Sequence, residues 1–216
     1  MTLRDLYTTY RIIPGLQMHQ LRVAAIGQFL SQGLNRKTDE HSIVLAGLFH
    51  DMGNVIKSDL ARFPQFLEPQ GLEYWQNVKK EFIEKYGTSA HHANVAIARE
   101  IGLPESAVGL IDGVGFGNMA VISAGGGWEQ KIVEYADTRV GPHGVMDLKS
   151  RLEEARARYE SRKDREYYTP EGFVRLSNAA EEIERQLFTG STMVPTDITD
   201  QSVSPLMEKL WDYSVS

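Results

Sequence analysis

The segment Ile43-Val-Leu-Ala-Gly-Leu-Phe-His-Asp-Met-Gly-Asn54 runs through seven apolar or small residues and then reaches His50 and Asp51. A run of this kind predicts a helix that packs in the protein interior. An imidazole and a carboxylate lose their hydration at such a position, which is costly unless a partner compensates for the loss. A bound cation would supply that compensation. The segment therefore predicts a buried helix that ends near residue 51 in a metal site.

The remainder of the chain predicts an all-α fold. Apolar residues recur at helical spacing, strand-like alternation is absent, and glycine and proline fall between the periodic segments. Caps are predicted at Thr38-Asp39 and at Ser89. Residues 119–124, between two glycine-rich turns, are interpreted as a mobile connection or a tight packing corner, and residues 190–204 as a loop. The predicted helices span about residues 16–34, 40–51, 55–62, 72–86, 90–101, 105–114, 128–140, 147–163, 170–188 and 206–213.

Composition narrows the class of protein. The chain has 216 residues, of which 42% are hydrophobic and 24% charged, as in an ordinary globular protein with one substantial core. It contains no cysteine, so any metal must bind to imidazole and carboxylate groups. The net charge is −6, and the basic residues between 151 and 165 are interspersed with acidic ones, so we expect no binding to a nucleic acid polymer. No apolar run approaches the length of a membrane span, which predicts a cytoplasmic protein without membrane contact.

Two further residues, His19 and Asp137, lie on inward-facing helical stripes. His19 shares its stripe with Val23, and Asp137 shares one with Val133. Each also has a purely structural interpretation, either as a core histidine with one hydrogen bond or as an aspartate paired with Arg139. Together with the His-Asp pair, however, they would place four polar groups on three inward stripes, which is costly without a cation. The combination therefore favours a metal site between helices.

Three segments resemble, in this order and separation, the motifs of the HD-domain superfamily: His19-Gln-Leu-Arg-Val-Ala24, Ala46-Gly-Leu-Phe-His-Asp-Met-Gly53 and Glu134-Tyr-Ala-Asp-Thr138. This superfamily is named after its His-Asp pair and consists largely of metal-dependent phosphohydrolases with an all-helical fold. The resemblance covers about residues 16–140. It implies a compact helical bundle, which we place at residues 1–145. The region after about residue 145 resembles no family that we can name, and we expect its helices, at 146–216, to pack on the same body.

The resemblance also implies the metal ligands. Carried across position by position, they are His19, His50, Asp51 and Asp137. Two imidazoles and two carboxylates suit Mn²⁺, Fe²⁺, Co²⁺, Ni²⁺ or Zn²⁺, and we expect one ion per chain. Dinuclear members carry another histidine on a later helix, whereas the corresponding segment here, Leu110-Ile-Asp-Gly-Val-Gly-Phe-Gly117, has none. This departure counts against a second ion and against the di-iron oxygenase chemistry of some HD proteins.

The segment Ser89-Ala-His-His-Ala-Asn-Val-Ala-Ile-Ala98 resembles a further family segment, in which a histidine binds a second metal or contacts the phosphate. His92 fits that position, although the two histidines could simply begin a helix. We expect His92 to protonate the leaving group and Arg22 to bind phosphate oxygens, with Lys57 and Arg139 as further candidates for the second role. Arg22 could alternatively orient a ligand carboxylate. Lys57 is considered because many relatives have a lysine where this chain has Asn54.

The resemblance thus implies a metal-dependent phosphohydrolase that acts on a nucleotide or another small phosphorylated metabolite. The alternative is a non-catalytic HD module that binds a nucleotide or a protein partner and uses its metal structurally. A third option is oxidative cleavage at a di-iron centre. Four aromatic residues could either stack on a base or pack together, namely Phe63, Phe66, Tyr74 and Trp75. Because the helices after residue 145 could also dock on a second subunit, we consider a homo-oligomer as well.

Overall fold

Helices make up the regular structure of the protein in our computed structural model, which describes residues 1–62, 64–159 and 169–215. Extended pairing within these residues is limited to two isolated bridges, Thr2 with Ser214 and Val140 with Val145. The predicted all-α fold is confirmed. No single helix of the described part has both the length and the apolar composition to span a bilayer, although the bent pair 105–113 and 116–125 meets these two criteria jointly. The α-helices of the described residues are α1 (Leu3–Thr9), α2 (Pro14–Gly33), α3 (Glu40–Phe49), α4 (Gly71–Tyr86), α5 (Ala90–Ile101), α6 (Glu105–Gly113), α7 (Met119–Gly125), α8 (Trp128–Thr138), α9 (Leu148–Tyr159), α10 (Pro170–Phe188) and α11 (Asp200–Leu210).

The centre of the fold is a close crossing of α2 and α3. Gly47 of α3 lies directly against α2, and a Cβ atom at this position would lie 2.5 Å from Ala24 Cα. Gly27 of α2 is equally close to α3, because a Cβ atom there would lie 2.7 Å from Ile43 Cγ2. α8 packs against both helices. Glycines therefore let α2 and α3 approach closely, and together with α8 these are the helices that carry or precede the predicted metal ligands.

Local sequence signals explain where α3 begins and ends. The Asp39 side chain caps the helix by accepting a 3.1 Å hydrogen bond from a backbone N–H of the first turn. α3 ends two residues before its predicted end, so that His50 forms the C-cap and Asp51 lies in the following turn. In this turn Gly53 approaches α5 so closely that a Cβ atom would lie 2.5 Å from Ala93 Cβ. The turn after α3 is thereby fixed against α5.

Several predicted segments differ in the structure. Residues 55–62, predicted as a helix, contain turns after the short 3-10 helix Asn54–Ile56. Residues 119–124 belong to α7, which packs on α10 and buries Met119 and Ile122, and they are not a mobile connection. The predicted loop 190–204 ends early, because the Thr199 side chain caps α11 by accepting a 3.1 Å hydrogen bond from the Ser202 N–H. α1 was not predicted, and positions 160–163 of the predicted helix 147–163 lie outside the described residues.

A buried arginine ties the C-terminal part of the chain to α8. Arg139 is only 2% exposed and donates hydrogen bonds to the carbonyl oxygens of Met146, Pro195 and Ile198. Its guanidinium thus fixes the loop before α9 and the loop before α11 at once. α11 in turn packs along α2, and α10 packs against α8. The division of the chain into residues 1–145 and 146–216 stays a prediction.

Candidate metal centre

His19, His50, Asp51 and Asp137 converge where α2, α3 and α8 meet, and we call this set the four-residue cluster. The Nε2 atom of His19 lies 3.0 Å from Asp137 Oδ1 and 3.7 Å from Asp51 Oδ2. The Nε2 atom of His50 lies 3.5 Å from Asp137 Oδ1 and 3.7 Å from Asp51 Oδ2. Ligand atoms of His19, His50 and Asp51 all lie within 4.8 Å of one another. Each histidine therefore faces both carboxylates through its Nε2 atom.

Three helices hold the four-residue cluster in place. His19 lies in the second turn of α2 and Asp137 in the last turn of α8, while His50 and Asp51 follow directly after α3. The backbone N–H of Asp51 donates a 3.2 Å hydrogen bond to Oε1 of the buried Gln20. This bond links the turn after α3 to α2, next to His19. The convergence thus depends on the close packing of α2, α3 and α8.

The imidazole of His50 is oriented for a cation. Its Nδ1 atom lies 3.0 Å from the Gly47 carbonyl oxygen, and in the neutral ring it donates to that oxygen and leaves the Nε2 lone pair facing the carboxylates. This Nε2 atom is buried and has no hydrogen-bond partner of normal length among the described residues. A buried acceptor beside two carboxylates is costly, and a divalent cation would satisfy all of these groups. The residues present therefore fit a metal ion.

The electrostatics of the cluster lead to the same conclusion. Burial lowers the pKa of His50, but the nearby charges of Asp51 and Asp137 outweigh it and raise the pKa to about 9. Burial also raises the pKa of Asp137, but the hydrogen bonds and charges of His19 and His50 hold it well below its usual value. The site thus attracts positive charge to the space between the imidazoles. A cation that binds there competes with a proton.

Glu134 is a buried residue of the site region to which sequence reasoning assigned no role. Its side chain is on α8, one turn before Asp137, and only 1% of the residue is exposed. Its Oε2 atom accepts a 2.7 Å hydrogen bond from the backbone N–H of Gly115 and so fixes the loop between α6 and α7. Burial, together with the charge of Asp137, raises the pKa of Glu134 to about 8. The sequence feature that could have indicated this role is a glutamate on an apolar stretch of helix, at the first position of the motif Glu134-Tyr-Ala-Asp-Thr138.

His92 lies at the exposed N-terminal turn of α5, and its backbone N–H donates a 3.2 Å hydrogen bond to the side chain of Ser89. The predicted cap at Ser89 is confirmed. The neighbouring His91 forms a 2.9 Å ion pair with Asp112 of α6. Among the described residues, the ligand atoms that group with those of His50 do not include any from His92. His92 is thus placed on the surface of α5, outside the four-residue cluster.

The predicted phosphate-binding cations have different surroundings. Arg22 lies one turn after His19 on α2, and its Nε atom is 3.1 Å from Asp200 Oδ1 at the start of α11. Lys57 is exposed and follows the 3-10 helix Asn54–Ile56. The arginine considered as a partner of Asp137, Arg139, donates instead to loop carbonyl oxygens and to the Tyr135 hydroxyl. Within the described part of the chain, neither Arg22 nor Arg139 forms an ion pair or a hydrogen bond with Asp51 or Asp137.

The four aromatic candidates for base stacking have different surroundings. Trp75 and Tyr74 pack together, whereas Phe66 lies against Gly15 of α2. Trp75 is 3% exposed and donates a 2.9 Å hydrogen bond from Nε1 to the Leu67 carbonyl oxygen. Tyr74 packs edge-on against Trp75, with ring centroids 5.0 Å apart. Phe66 lies next to His143, with ring centroids 5.9 Å apart. The fourth candidate, Phe63, lies outside the described residues.

One comparison with known protein families matches part of the chain. Residues 17–112 match the sequence profile of the HD domain family. This match covers less than half of the 216 residues, and it confirms the resemblance to the HD-domain superfamily that the motifs indicated. The matched segment contains His19, His50 and Asp51, while Asp137 lies beyond it and joins these residues through the fold. No curated protein and no solved structure matches the chain.

Proposed function

We propose that this protein is a metal-dependent phosphohydrolase that acts on a nucleotide or another small phosphorylated metabolite. The observation that carries the proposal is the convergence of His19, His50, Asp51 and Asp137, with the buried Nε2 atom of His50 facing two carboxylates. The match of residues 17–112 to the HD domain family supports it, because that superfamily consists largely of metal-dependent hydrolases.

The four-residue cluster would hold one divalent ion. Two imidazoles and two carboxylates suit Mn²⁺, Fe²⁺, Co²⁺, Ni²⁺ or Zn²⁺ and leave coordination positions for water or substrate. When bound, such an ion supplies Lewis-acid stabilisation of a phosphoryl oxygen and a nucleophilic water near neutral pH. The contribution of the chain is orientation. The Gly47 carbonyl fixes the ring of His50, and the Gln20 side chain fixes the backbone of Asp51.

Three further residues are proposed to act on the substrate. His92 is exposed and therefore accessible to a leaving group that needs a proton. Arg22 lies one turn from His19 on the same face of α2, and Asp200 holds its guanidinium in position beside the site. Lys57 is an exposed cation after the turn that carries Asp51. Under this proposal His92→Ala lowers kcat most for substrates with poor leaving groups, whereas Arg22→Ala and Lys57→Ala mainly raise KM.

The experiment that tests the function is a phosphate-release assay with purified protein. The protein is loaded separately with Mn²⁺, Co²⁺ and Ni²⁺ and offered nucleoside phosphates and sugar phosphates. We expect metal-dependent release that His50→Ala or Asp51→Ala abolishes while the circular dichroism spectrum stays helical. His91→Ala serves as the matched control, since His91 is an exposed histidine that pairs with Asp112. Loaded protein without turnover on the whole panel would contradict the proposal.

The second candidate is a non-catalytic HD module that binds a nucleotide or a protein partner around a structural metal. It is favoured by the absence of histidine from Leu110 to Gly117, and by Asn54, which is buried where many relatives have a lysine. Thermal-shift titration separates the candidates. Stabilisation by a nucleotide without product formation favours the binding module. Metal analysis with one ion per chain would exclude the third option, a di-iron centre.

A further inference from the structure

Three residues near the N-terminal end of α2 lie in a row along one face of the helix. Gly15, His19 and Arg22 are spaced four and three residues apart, so they lie on the same side of the helix. A Cβ atom at Gly15 would lie 2.8 Å from Phe66 Cγ, which shows that the Phe66 ring covers this end of the row. Side chains one turn apart on a helix have Cβ atoms about 5–6 Å apart. The Phe66 ring is therefore about one helical turn from the imidazole of His19.

The loop after α8 reaches the same face of α2. Asp200 of α11 binds Arg22 through Oδ1 at 3.1 Å and accepts the backbone N–H of Val145 through Oδ2 at 3.0 Å. This loop contains the exposed His143, whose ring centroid lies 5.9 Å from that of Phe66 with the planes inclined by 55°. The loop is thus held beside Arg22 at one end of the row and contacts Phe66 at the other. His19, which belongs to the four-residue cluster, lies between these two points on α2.

We propose that Phe66 and His143 form the contact surface for the planar base of a nucleotide whose phosphate lies at the four-residue cluster. The proposal rests on the function proposed above and adds to it the class of substrate, a base-containing phosphate. Two aromatic rings next to a metal site offer stacking surfaces, and stacking tolerates any base because every base has a flat π-face. The other aromatic candidates of the described chain do not compete for this role, because Trp75 is buried and Tyr74 packs on it.

The test compares adenosine 5′-monophosphate with ribose 5-phosphate, which carries the same sugar and phosphate without a base. Phe66→Leu keeps an apolar side chain over Gly15 but removes the ring, and His143→Ala removes the other ring from an exposed position. We expect each variant to weaken recognition of the nucleotide by at least about fivefold and to leave that of ribose 5-phosphate unchanged. Tyr74→Ala is the matched control, because Tyr74 is an exposed aromatic residue that packs on Trp75 and should affect neither compound.

Recognition is measured twice, as KM in turnover and as Kd by calorimetry with the Mn²⁺-loaded protein. The calorimetric comparison separates this proposal from the proposed function. Protein that binds the nucleotide more tightly than ribose 5-phosphate, and loses this preference in Phe66→Leu and His143→Ala, supports the contact surface even without turnover. Turnover of both compounds with equal KM supports a phosphohydrolase and overturns the contact surface. Equal loss of both ligands in the two variants, with unchanged melting temperatures, also overturns it.

Discussion

Replacement of Gly47 by alanine tests how the packing of α2 on α3 builds the metal centre. The added Cβ atom would lie 2.5 Å from Ala24 Cα and 2.7 Å from Ala24 N, and these are backbone atoms that cannot rotate away. Ordinary van der Waals contact begins at 3.4 Å, so the two helices must separate locally by about 1 Å. His19 lies on α2, and His50 donates to the Gly47 carbonyl oxygen. The separation therefore displaces both imidazoles.

The size of the effect follows from this displacement. Overpacking of this kind costs about 1–3 kcal/mol, while alanine gains about 1 kcal/mol over glycine in helix propensity. Metal sites accept ligand distances within about 0.2 Å, and disturbance of the groups that orient the ligands typically costs about 10–100-fold in affinity. We expect Gly47→Ala to weaken Mn²⁺ binding by at least about tenfold, as measured by calorimetry on metal-free protein.

Gly109→Ala is the matched control, because Gly109 is an exposed helical glycine of α6 whose added Cβ atom would meet no heavy atom within 4 Å. It shares the gain in helix propensity, so the difference between the two variants isolates the steric effect. Differential scanning fluorimetry should place the melting temperature of Gly47→Ala below that of Gly109→Ala by about 2–12 °C. Equal melting temperatures and equal Mn²⁺ affinities in the two variants would refute the argument.

Three further predictions concern the residues around the site. Arg139→Met removes the guanidinium that donates hydrogen bonds to buried loop carbonyl oxygens. The free energy of unfolding, measured by urea denaturation, should fall by about 2–4 kcal/mol. A change below about 0.5 kcal/mol would be inconsistent with these buried hydrogen bonds. Asp200→Asn removes the charge that faces Arg22 in a partly exposed pair. It should lower the free energy of unfolding by less than about 1 kcal/mol, and the difference in this free energy between the variant and the unaltered protein should disappear in high salt. The pKa of Glu134 is about 8 in the folded protein and ordinary in the unfolded chain, so the folded state binds more protons between pH 4.5 and 8 and stability falls as the pH rises through this range. Glu134→Gln should remove up to about 1.4 kcal/mol of this dependence per pH unit in metal-free protein, and an unchanged slope would argue against the buried carboxyl.

Helix boundaries were predictable from sequence where a cap or a break is encoded locally. Ser89 and Gly102 bound α5 as predicted, and α10 spans the predicted 170–188. The prediction failed for the beginning of α11, which was placed at residue 206, because Pro205 and the Ser and Thr residues before it are typical of a loop. The cap at Thr199 overrides that composition, which only the geometry of the folded chain reveals.

The positions of the site residues along their helices were also predictable, whereas their distances were not. Helical periodicity placed His19 and Asp137 on inward faces, but the 3.0 Å contact between them depends on how α8 packs against α2. The ion pair between Arg22 and Asp200 joins residues 178 positions apart, and no local pattern signals it. Sequence likewise left Phe66 equivalent to Tyr74, and only tertiary packing distinguishes the two aromatic residues.

Metal content is the measurement that tests the central claim most directly. Purified protein is loaded with Mn²⁺ or Co²⁺, desalted and analysed by elemental mass spectrometry, beside Asp51→Ala and Asp137→Ala at matched helical content. The geometry of the four-residue cluster predicts about one ion per chain in the unaltered protein and almost none in either variant. An unaltered chain that retains no ion, or variants that retain as much as it does, would contradict a metal centre between α2, α3 and α8.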